Sequence, residues 1–113
     1  MNDLIQRIVA AIIRQEGAKA DSTNPGNLRG AQWLSGPKAF QNGFWLPVTR
    51  AQGVAGLAHV VALHIAQGDS LTTFISKYAP SADHNNTAEY IANVSKWAGI
   101  PDTISPLQEF LGV

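Results

Sequence analysis

Three glutamates are the first candidates for acid–base chemistry in this chain of 113 residues, which contains no cysteine. Without a thiol, disulfide frameworks, thiolate metal sites and cysteine nucleophiles are excluded. Glu89 falls in the first turn of a predicted helix, where a carboxylate serves as a cap. Glu109 falls in a short amphipathic helix, where a solvated face residue is the simpler interpretation. Glu16 therefore has the strongest indication of a chemical role.

Glu16 is predicted to end an amphipathic helix over residues 3–16, before Gly17. It extends an apolar row with a spacing of four residues, formed by Leu4, Ile8 and Ile12. Burial in that row and the negative end of the helix macrodipole both favour the protonated acid over the carboxylate. Glycosidic bond cleavage requires such a general acid. The alternative is that the apolar row ends one turn earlier and that Glu16 is solvated.

Aromatic and basic side chains are candidates for ligand contacts. Trp45 and three other aromatic residues cluster around a predicted hairpin, namely Trp33, Phe40 and Phe44. They either seal the hairpin as a small core or form one wall of a sugar cleft, and strand alternation places Phe44 and Trp45 on opposite faces. Arg29 either pairs with a carboxylate and orders its loop or contacts a substrate.

Turn and cap signals predict the elements that must position these groups. Residues 17–32 are rich in turn formers, and Asn24-Pro25-Gly26-Asn27 predicts a tight turn. Asn42-Gly43 predicts a type I′ turn in a hairpin over residues 37–48. Gly53 and Gly56 lie three residues apart in a predicted helix, which indicates the close approach of a backbone or a ligand.

Three further helices and a short last one complete the predicted architecture. The helices are expected over 50–67, 71–78 and 87–97, and each begins after a capping residue, respectively Thr49, Ser70 and Asn86. The last short helix begins at Ser105-Pro106. The fold class is therefore mainly α, with about five helices and a small β-hairpin in a single domain over residues 1–113.

The charge balance excludes some partners. Eight Lys and Arg residues balance eight Asp and Glu residues, so the formal net charge is zero. This argues against a nucleic-acid partner, since such domains usually carry a basic excess. No apolar run approaches the roughly 18 residues of a membrane span, so we expect no membrane insertion. The N-terminal residues do not follow the pattern of a signal peptide, and we expect none.

Several short motifs, taken together, resemble a known superfamily. Arg14-Gln15-Glu16-Gly17 followed by Asn24-Pro25 is similar to lysozyme-like lytic transglycosylases, in which the catalytic Glu ends a helix and a loop with Asn-Pro follows. Thr87-Ala88-Glu89-Tyr90-Ile91 resembles the last motif of that superfamily. With the aromatic hairpin and Tyr78-Ala79-Pro80, residues 6–100 resemble small muramidase-like domains of phage particles and prophages.

The resemblance implies a lysozyme-like domain that cleaves the MurNAc–GlcNAc bond of peptidoglycan with Glu16 as general acid/base. Tyr90 would lie near Glu16 and hold its carboxyl group or the acetamido group of the substrate. The resemblance and the aromatic hairpin together indicate several substrate-binding residues, namely Asn24, Asn27, Arg29, Trp45, Gly56, His59 and Tyr78. No cofactor and no metal is implied. A lysozyme or a lytic transglycosylase is therefore the expected enzyme.

The choice between these two enzymes depends on a second carboxylate. An inverting or retaining hydrolase uses one at a defined separation from the acid. Asp21 and Asp83 are the candidates, although Asp in turns commonly hydrogen-bonds the backbone. With Glu16 alone, the resemblance favours transglycosylase chemistry, in which a hydroxyl of the sugar attacks and leaves a 1,6-anhydro end.

The resemblance also implies a biological setting. The partners would be peptidoglycan glycan strands, together with other virion or secretion-system proteins. The protein would be virion-associated, or phage-encoded in the host cytoplasm, and would act on the cell wall in the periplasm. The competing function is a non-catalytic phage structural or peptidoglycan-binding module that retains the lysozyme-like fold.

Overall fold

The computed structural model describes residues 3–34, 37–83 and 85–112. These residues contain four α-helices: α1 (Asp3–Glu16), α2 (Arg50–Ala66), α3 (Leu71–Tyr78) and α4 (Thr87–Ala98). Two short strands, β1 (Phe40–Gln41) and β2 (Phe44–Trp45), form an antiparallel hairpin. Short 3-10 turns cover Ser81–Asp83 and Leu107–Phe110. The mainly α class with a small hairpin is thus confirmed, while the last predicted helix is a 3-10 turn.

Local side-chain caps set where the helices begin, as the sequence predicts. The hydroxyl of Thr49 accepts from the backbone N–H of Gln52 at 3.1 Å. Ser70 and Asn86 cap α3 and α4 in the same way, by accepting from backbone N–H groups three residues ahead. These contacts satisfy amide donors that the first helical turn leaves without partners. The predicted helix bounds are correct to within one residue.

The hairpin follows from its two-residue turn. Asn42 and Gly43 both have positive φ, at 53° and 81°, as a type I′ turn requires. Phe40 pairs with Trp45 across the strands, so the predicted turn is confirmed. The hairpin is fastened to the preceding loop, because the backbone N–H of Trp45 donates to the carbonyl of Leu28 at 2.9 Å.

Helix α1 lies in the core between α2 and α4. Three side-chain contacts along its length show that α1 runs antiparallel to α4: Arg7 with the carbonyl of Ala98, Gln15 with Asn93, and Glu16 with Tyr90. The fully buried side chains that fill the core are Leu4, Ile8, Ile12, Leu57, Val61, Leu71, Phe74, Ile75, Val94, Ile100 and Leu107. This packing brings the C-terminal end of α1 to the first turns of α4.

The loop after α1 crosses α2 at a glycine, as the spacing of Gly53 and Gly56 predicts. A Cβ atom on Gly53 would lie 1.7 Å from the carbonyl oxygen of Thr23. Arg50 fastens the same loop by donating from its guanidinium to the carbonyl of Ser22 at 2.8 Å. The loop therefore has a fixed position over α2. None of the helices in the described residues is long and apolar enough to cross a membrane.

Candidate active site

Two side chains from distant parts of the chain donate hydrogen bonds to the carboxyl group of Glu16. The hydroxyl of Tyr90 donates to Oε2 at 2.7 Å, and the side-chain amide of Asn27 donates to Oε1 at 2.7 Å. Glu16 itself is half-buried, so its exposure lies between the two alternatives that the sequence left open, which are burial in the apolar row and full solvation. One carboxyl oxygen is therefore held by a residue of α4, and the other is held by a residue of the loop after α1.

Asn27 reaches Glu16 because of the turn that precedes it. The backbone N–H of Asn27 donates to the carbonyl of Asn24 at 3.0 Å, which closes the predicted tight turn. The positive φ of this turn belongs to Asn27, at 52°, and not to Gly26. Gly26 is required for space, since a Cβ atom there would lie 2.9 Å from the hydroxyl of Tyr78. The turn thus packs directly under Tyr78 and presents Asn27 to the acid.

Two tyrosines line the region around Glu16. The Tyr90 side chain is only 2 % exposed, and its ring meets that of Tyr78 edge-on at 6.4 Å. Burial and the neighbouring Glu16 raise the pKa of both phenols well above the usual value of 10.0. Both hydroxyls therefore keep their protons: that of Tyr90 donates to Glu16, and that of Tyr78 donates to the carbonyl of Gly26.

A cleft of about 210 Å³ opens over the carboxyl group. Its side-chain lining combines one acid with amide, phenol, aromatic and guanidinium groups, from Glu16, Asn27, Arg29, Phe44, Tyr78 and Asn85. A cavity of about 440 Å³ on the hairpin side shares Asn27 and Phe44 with it. Another of about 250 Å³ on the α3 side shares Asn27, Arg29 and Tyr78. The cleft over Glu16 therefore adjoins both cavities through shared lining residues, and we call the three together the groove.

Comparisons with protein-family models, curated proteins and solved structures give no significant match. The chemistry of the cleft is therefore inferred from the side chains that line it. Glu16 can give or take a proton, while the amides and the phenol of Tyr78 can hydrogen-bond a neutral polar ligand. Phe44 adds a partly exposed aromatic side chain to this lining. Such a lining suits a sugar chain, which alternates hydroxyl groups with apolar ring faces.

The side chain of Asn24 joins the turn to the hairpin. It is 8 % exposed, and its amide is hydrogen-bonded inside the protein. Its Nδ2 donates to the carbonyls of Leu28 and Trp45 at 2.9 and 2.8 Å, and its Oδ1 accepts from the N–H of Leu28 at 2.9 Å. Asn24 does not line the cleft over Glu16 but does line the cavity on the hairpin side, so its contact with substrate stays a prediction.

Trp45 and Gly56 also belong to the core rather than to the Glu16 cleft. Trp45 is 4 % exposed, and its ring meets that of Trp33 edge-on at 5.7 Å. A Cβ atom on Gly56 would lie 2.7 Å from the Trp45 ring, so this glycine makes room for the indole. His59 is exposed and stacks on Trp33 at 4.9 Å. None of the three lines the cleft over Glu16, although Trp45 lines the cavity on the hairpin side, and their contacts with substrate stay predictions.

The second carboxylate has one described candidate. Asp21 is exposed and lines the cavity on the hairpin side of the groove. The side chain of Asp83 lies outside the described part of the molecule. Among the residues that the structure describes, no three His, Asp or Glu side chains come together as a metal site would require. Glu16 is the acidic side chain that lines the cleft itself.

Two further residues line the cleft. Phe44 is one of the hairpin aromatics for which the sequence left a cleft wall as one of two roles, and strand alternation separates it from Trp45. Asn85 gave no signal of its own, since the adjacent Asn86 accounts for the cap of α4. Its side-chain amide donates to the carbonyl of Pro80 at 3.2 Å, which fixes it at the mouth of the cleft.

Proposed function

We propose that the protein is a peptidoglycan-degrading muramidase with a lysozyme-like domain, in which Glu16 is the general acid/base. The observation that carries this proposal is the carboxyl group of Glu16 at the floor of a polar groove, held by Tyr90 and Asn27. A glycan strand would lie along the groove with its scissile bond over Glu16. Catalysis of this kind needs a proton donor within hydrogen-bond reach of the leaving oxygen.

In the first step, the protonated Glu16 gives its proton to the glycosidic oxygen as the bond to the sugar C1 breaks. In the second step, the Glu16 carboxylate takes a proton from the attacking hydroxyl, which forms the new bond to C1. If the attacking group is water, the product is a reducing end; if it is the C6 hydroxyl of the same sugar, the product is a 1,6-anhydro end. The hydrogen bonds from Tyr90 and Asn27 suit the carboxylate that exists between these steps.

The two enzyme classes place different demands on the groove. Hydrolysis by the inverting route differs from these two steps, because a second carboxylate about 6.5–9.5 Å from the acid takes the proton of water in place of Glu16, in a single displacement at C1. Asp21, on the hairpin side of the groove, is the described candidate for that role. An intramolecular attack needs Glu16 alone. We therefore propose either a lysozyme or a lytic transglycosylase, with the product as the deciding observation.

The proposed setting is a phage or prophage lysis system, a virion, or a secreted antibacterial effector, with peptidoglycan glycan strands as the partner. The competing function is a non-catalytic module that binds peptidoglycan through the same groove. The half-buried, doubly hydrogen-bonded Glu16 favours the enzyme, because binding a neutral sugar does not need an oriented carboxyl group.

Digestion of purified peptidoglycan tests the proposal. We expect the wild-type protein to release soluble fragments, and mass spectrometry then distinguishes 1,6-anhydro ends from reducing ends. The Glu16→Gln variant should bind the same material and release almost nothing. Retention of the wild-type protein on intact peptidoglycan, without release of any fragment, would instead establish the non-catalytic module.

A further inference from the structure

The guanidinium group of Arg29 is a charged group of the groove that the proposed acid–base chemistry does not use. Arg29 is exposed, and it lines both the cleft over Glu16 and the adjoining cavity on the α3 side. The sequence left open whether it pairs with a carboxylate of its own chain. Among the side chains that the structure describes, which do not include that of Asp83, Arg29 has neither a salt bridge nor a hydrogen bond from its side chain.

The Arg29 side chain is nevertheless held in place. Its guanidinium carbon lies 4.7 Å from the centre of the Phe44 ring, in a cation–π contact. Phe44 is fixed by the hairpin, and the hairpin is fixed to Leu28, the residue before Arg29. The guanidinium therefore lies against an aromatic face while its N–H donors stay available. This arrangement lowers the entropy that Arg29 would lose on binding a ligand.

A planar guanidinium with free N–H donors matches a carboxylate, which it can bind through two parallel hydrogen bonds. The other described cation beside it, Lys77, lines the α3-side cavity and is bonded to Asp69 at 3.3 Å. Among the side chains that the structure describes, Arg29 is therefore the cation of the groove that has no anionic partner of its own. Its position at the junction of two cavities places that partner next to the sugar that occupies the cleft.

We propose that Arg29 is a specificity-determining residue that binds a carboxylate carried by the glycan substrate. This inference rests on the proposed muramidase function, because it assumes that a glycan strand fills the groove. Peptidoglycan carries carboxylates in two places: the lactyl ether of the muramyl sugar, where the peptide has been removed, and the peptide stem. Chitin-type glycans carry neither. Arg29 would thus make the enzyme prefer peptidoglycan over a neutral glycan of the same length.

Binding measurements on a catalytically silenced protein test this inference. The Glu16→Gln protein is titrated calorimetrically with three probes of equal sugar number: a chito-oligosaccharide, a peptide-free peptidoglycan oligosaccharide, and the same oligosaccharide with its peptide stems. Arg29→Gln is then added to this background. We expect about a tenfold weaker affinity for a carboxylate-bearing probe, the scale of a hydrogen-bonded charge pair at an exposed site, and no change for the neutral probe.

Arg14→Gln is the matched control. Arg14 lies over the Trp97 ring at 4.1 Å, so this variant also removes one guanidinium from an aromatic face, but away from the groove. It should leave the affinity for all three probes unchanged. Arg29→Lys should recover only part of the affinity, because an ammonium group keeps the charge and loses the paired hydrogen bonds.

Each outcome has a defined meaning. Loss confined to the peptide-free probe identifies the lactyl carboxylate, and loss confined to the stem-bearing probe identifies the peptide; either supports the inference. Equal loss for the neutral probe, or no loss for any probe, overturns it while the muramidase proposal stands. If the Glu16→Gln protein binds none of the three probes, the muramidase proposal fails, and the role of Arg29 fails with it.

Discussion

The hydroxyl of Tyr90 lies 2.7 Å from Oε2 of Glu16, although the two residues are 74 positions apart in the chain. Glu16 is the last residue of α1, and Tyr90 lies in the first turns of α4. The antiparallel packing of these two helices creates the contact.

Replacement of the acid has the largest expected effect on activity. Glu16→Gln keeps the size of the side chain and removes the proton that the leaving oxygen needs. Activity on peptidoglycan should fall by at least about 10²-fold, the usual scale for general acid–base catalysis. Turbidity clearance and fragment release, measured with the melting temperature, distinguish this loss from unfolding.

Glu89→Gln is the matched control for that variant. Glu89 is exposed, its backbone N–H donates to the Asn86 side chain at 3.1 Å, and its carboxylate accepts from Asn86 at 3.2 Å. The free energy of unfolding of the variant should fall by only a few tenths of a kcal/mol, because the interaction of the charge with the helix dipole is lost. Its activity should stay near that of the wild type. A large loss of activity at an unchanged melting temperature would make Glu89 the acid and would contradict the assignment of Glu16.

Tyr90→Phe should lower turnover and leave the fold intact. The variant removes the donor to Oε2 and keeps the buried ring, so the carboxylate between the two chemical steps loses one of its two protein partners. The raised pKa of Tyr90, due to burial and to Glu16, predicts that the wild-type phenol still donates in alkaline solution. Turnover and melting temperature should be measured on one preparation. Unchanged turnover with lower stability would show that the hydroxyl is purely structural.

Substitutions of Asn24 and Asn27, two asparagines of one turn, should have different effects: the first should lower stability and the second should lower activity. Asn24→Ala leaves the N–H of Leu28 and the carbonyl of Trp45 without their side-chain partner, while the carbonyl of Leu28 keeps the N–H of Trp45, so we expect a loss of about 2–4 kcal/mol in the free energy of unfolding. Asn27→Gly removes the donor to Glu16 and suits the positive φ of that position. It should reduce activity with little change in stability. Urea unfolding and activity assays on both variants check this; the reverse pattern would refute the assigned roles.

Asp69 should make stability depend on pH in the acid range. The hydrogen bond with His64, at 2.7 Å, lowers the pKa of Asp69 below its usual 3.8; burial opposes this, and Lys77 supports it. Because the pKa of Asp69 is lower in the folded state than in the unfolded state, its carboxylate stabilises the fold at pH values above the unfolded-state pKa. This stabilisation is lost as the pH falls through the folded-state pKa. Asp69→Asn should therefore melt at a lower temperature than the wild type at pH 7. The difference in melting temperature between the two proteins should shrink below about pH 4. A difference that stays constant with pH would argue against a contribution from the charge of Asp69.

Much of the local structure could be predicted from neighbouring residues. The caps at Thr49 and Ser70 satisfy amides only three residues ahead, and the positive φ values at Asn42-Gly43 are a property of those two residues. Hydrogen bonds of this kind form within one turn of chain, so their signals are present in the sequence at fixed spacing. The amphipathic row that ends at Glu16 could also be predicted from the sequence, because residues four positions apart lie on the same face of a helix.

The composition of the cleft could be decided only by the tertiary structure. Asn24 and Asn27 belong to the same turn, yet one amide points into the protein and the other reaches Glu16. Trp45 and Phe44 are adjacent in the hairpin, and packing against α2 buries one of them while the other supports Arg29. Which side chain faces the groove depends on how distant segments pack around a shared core, and such contacts have no fixed spacing along the chain.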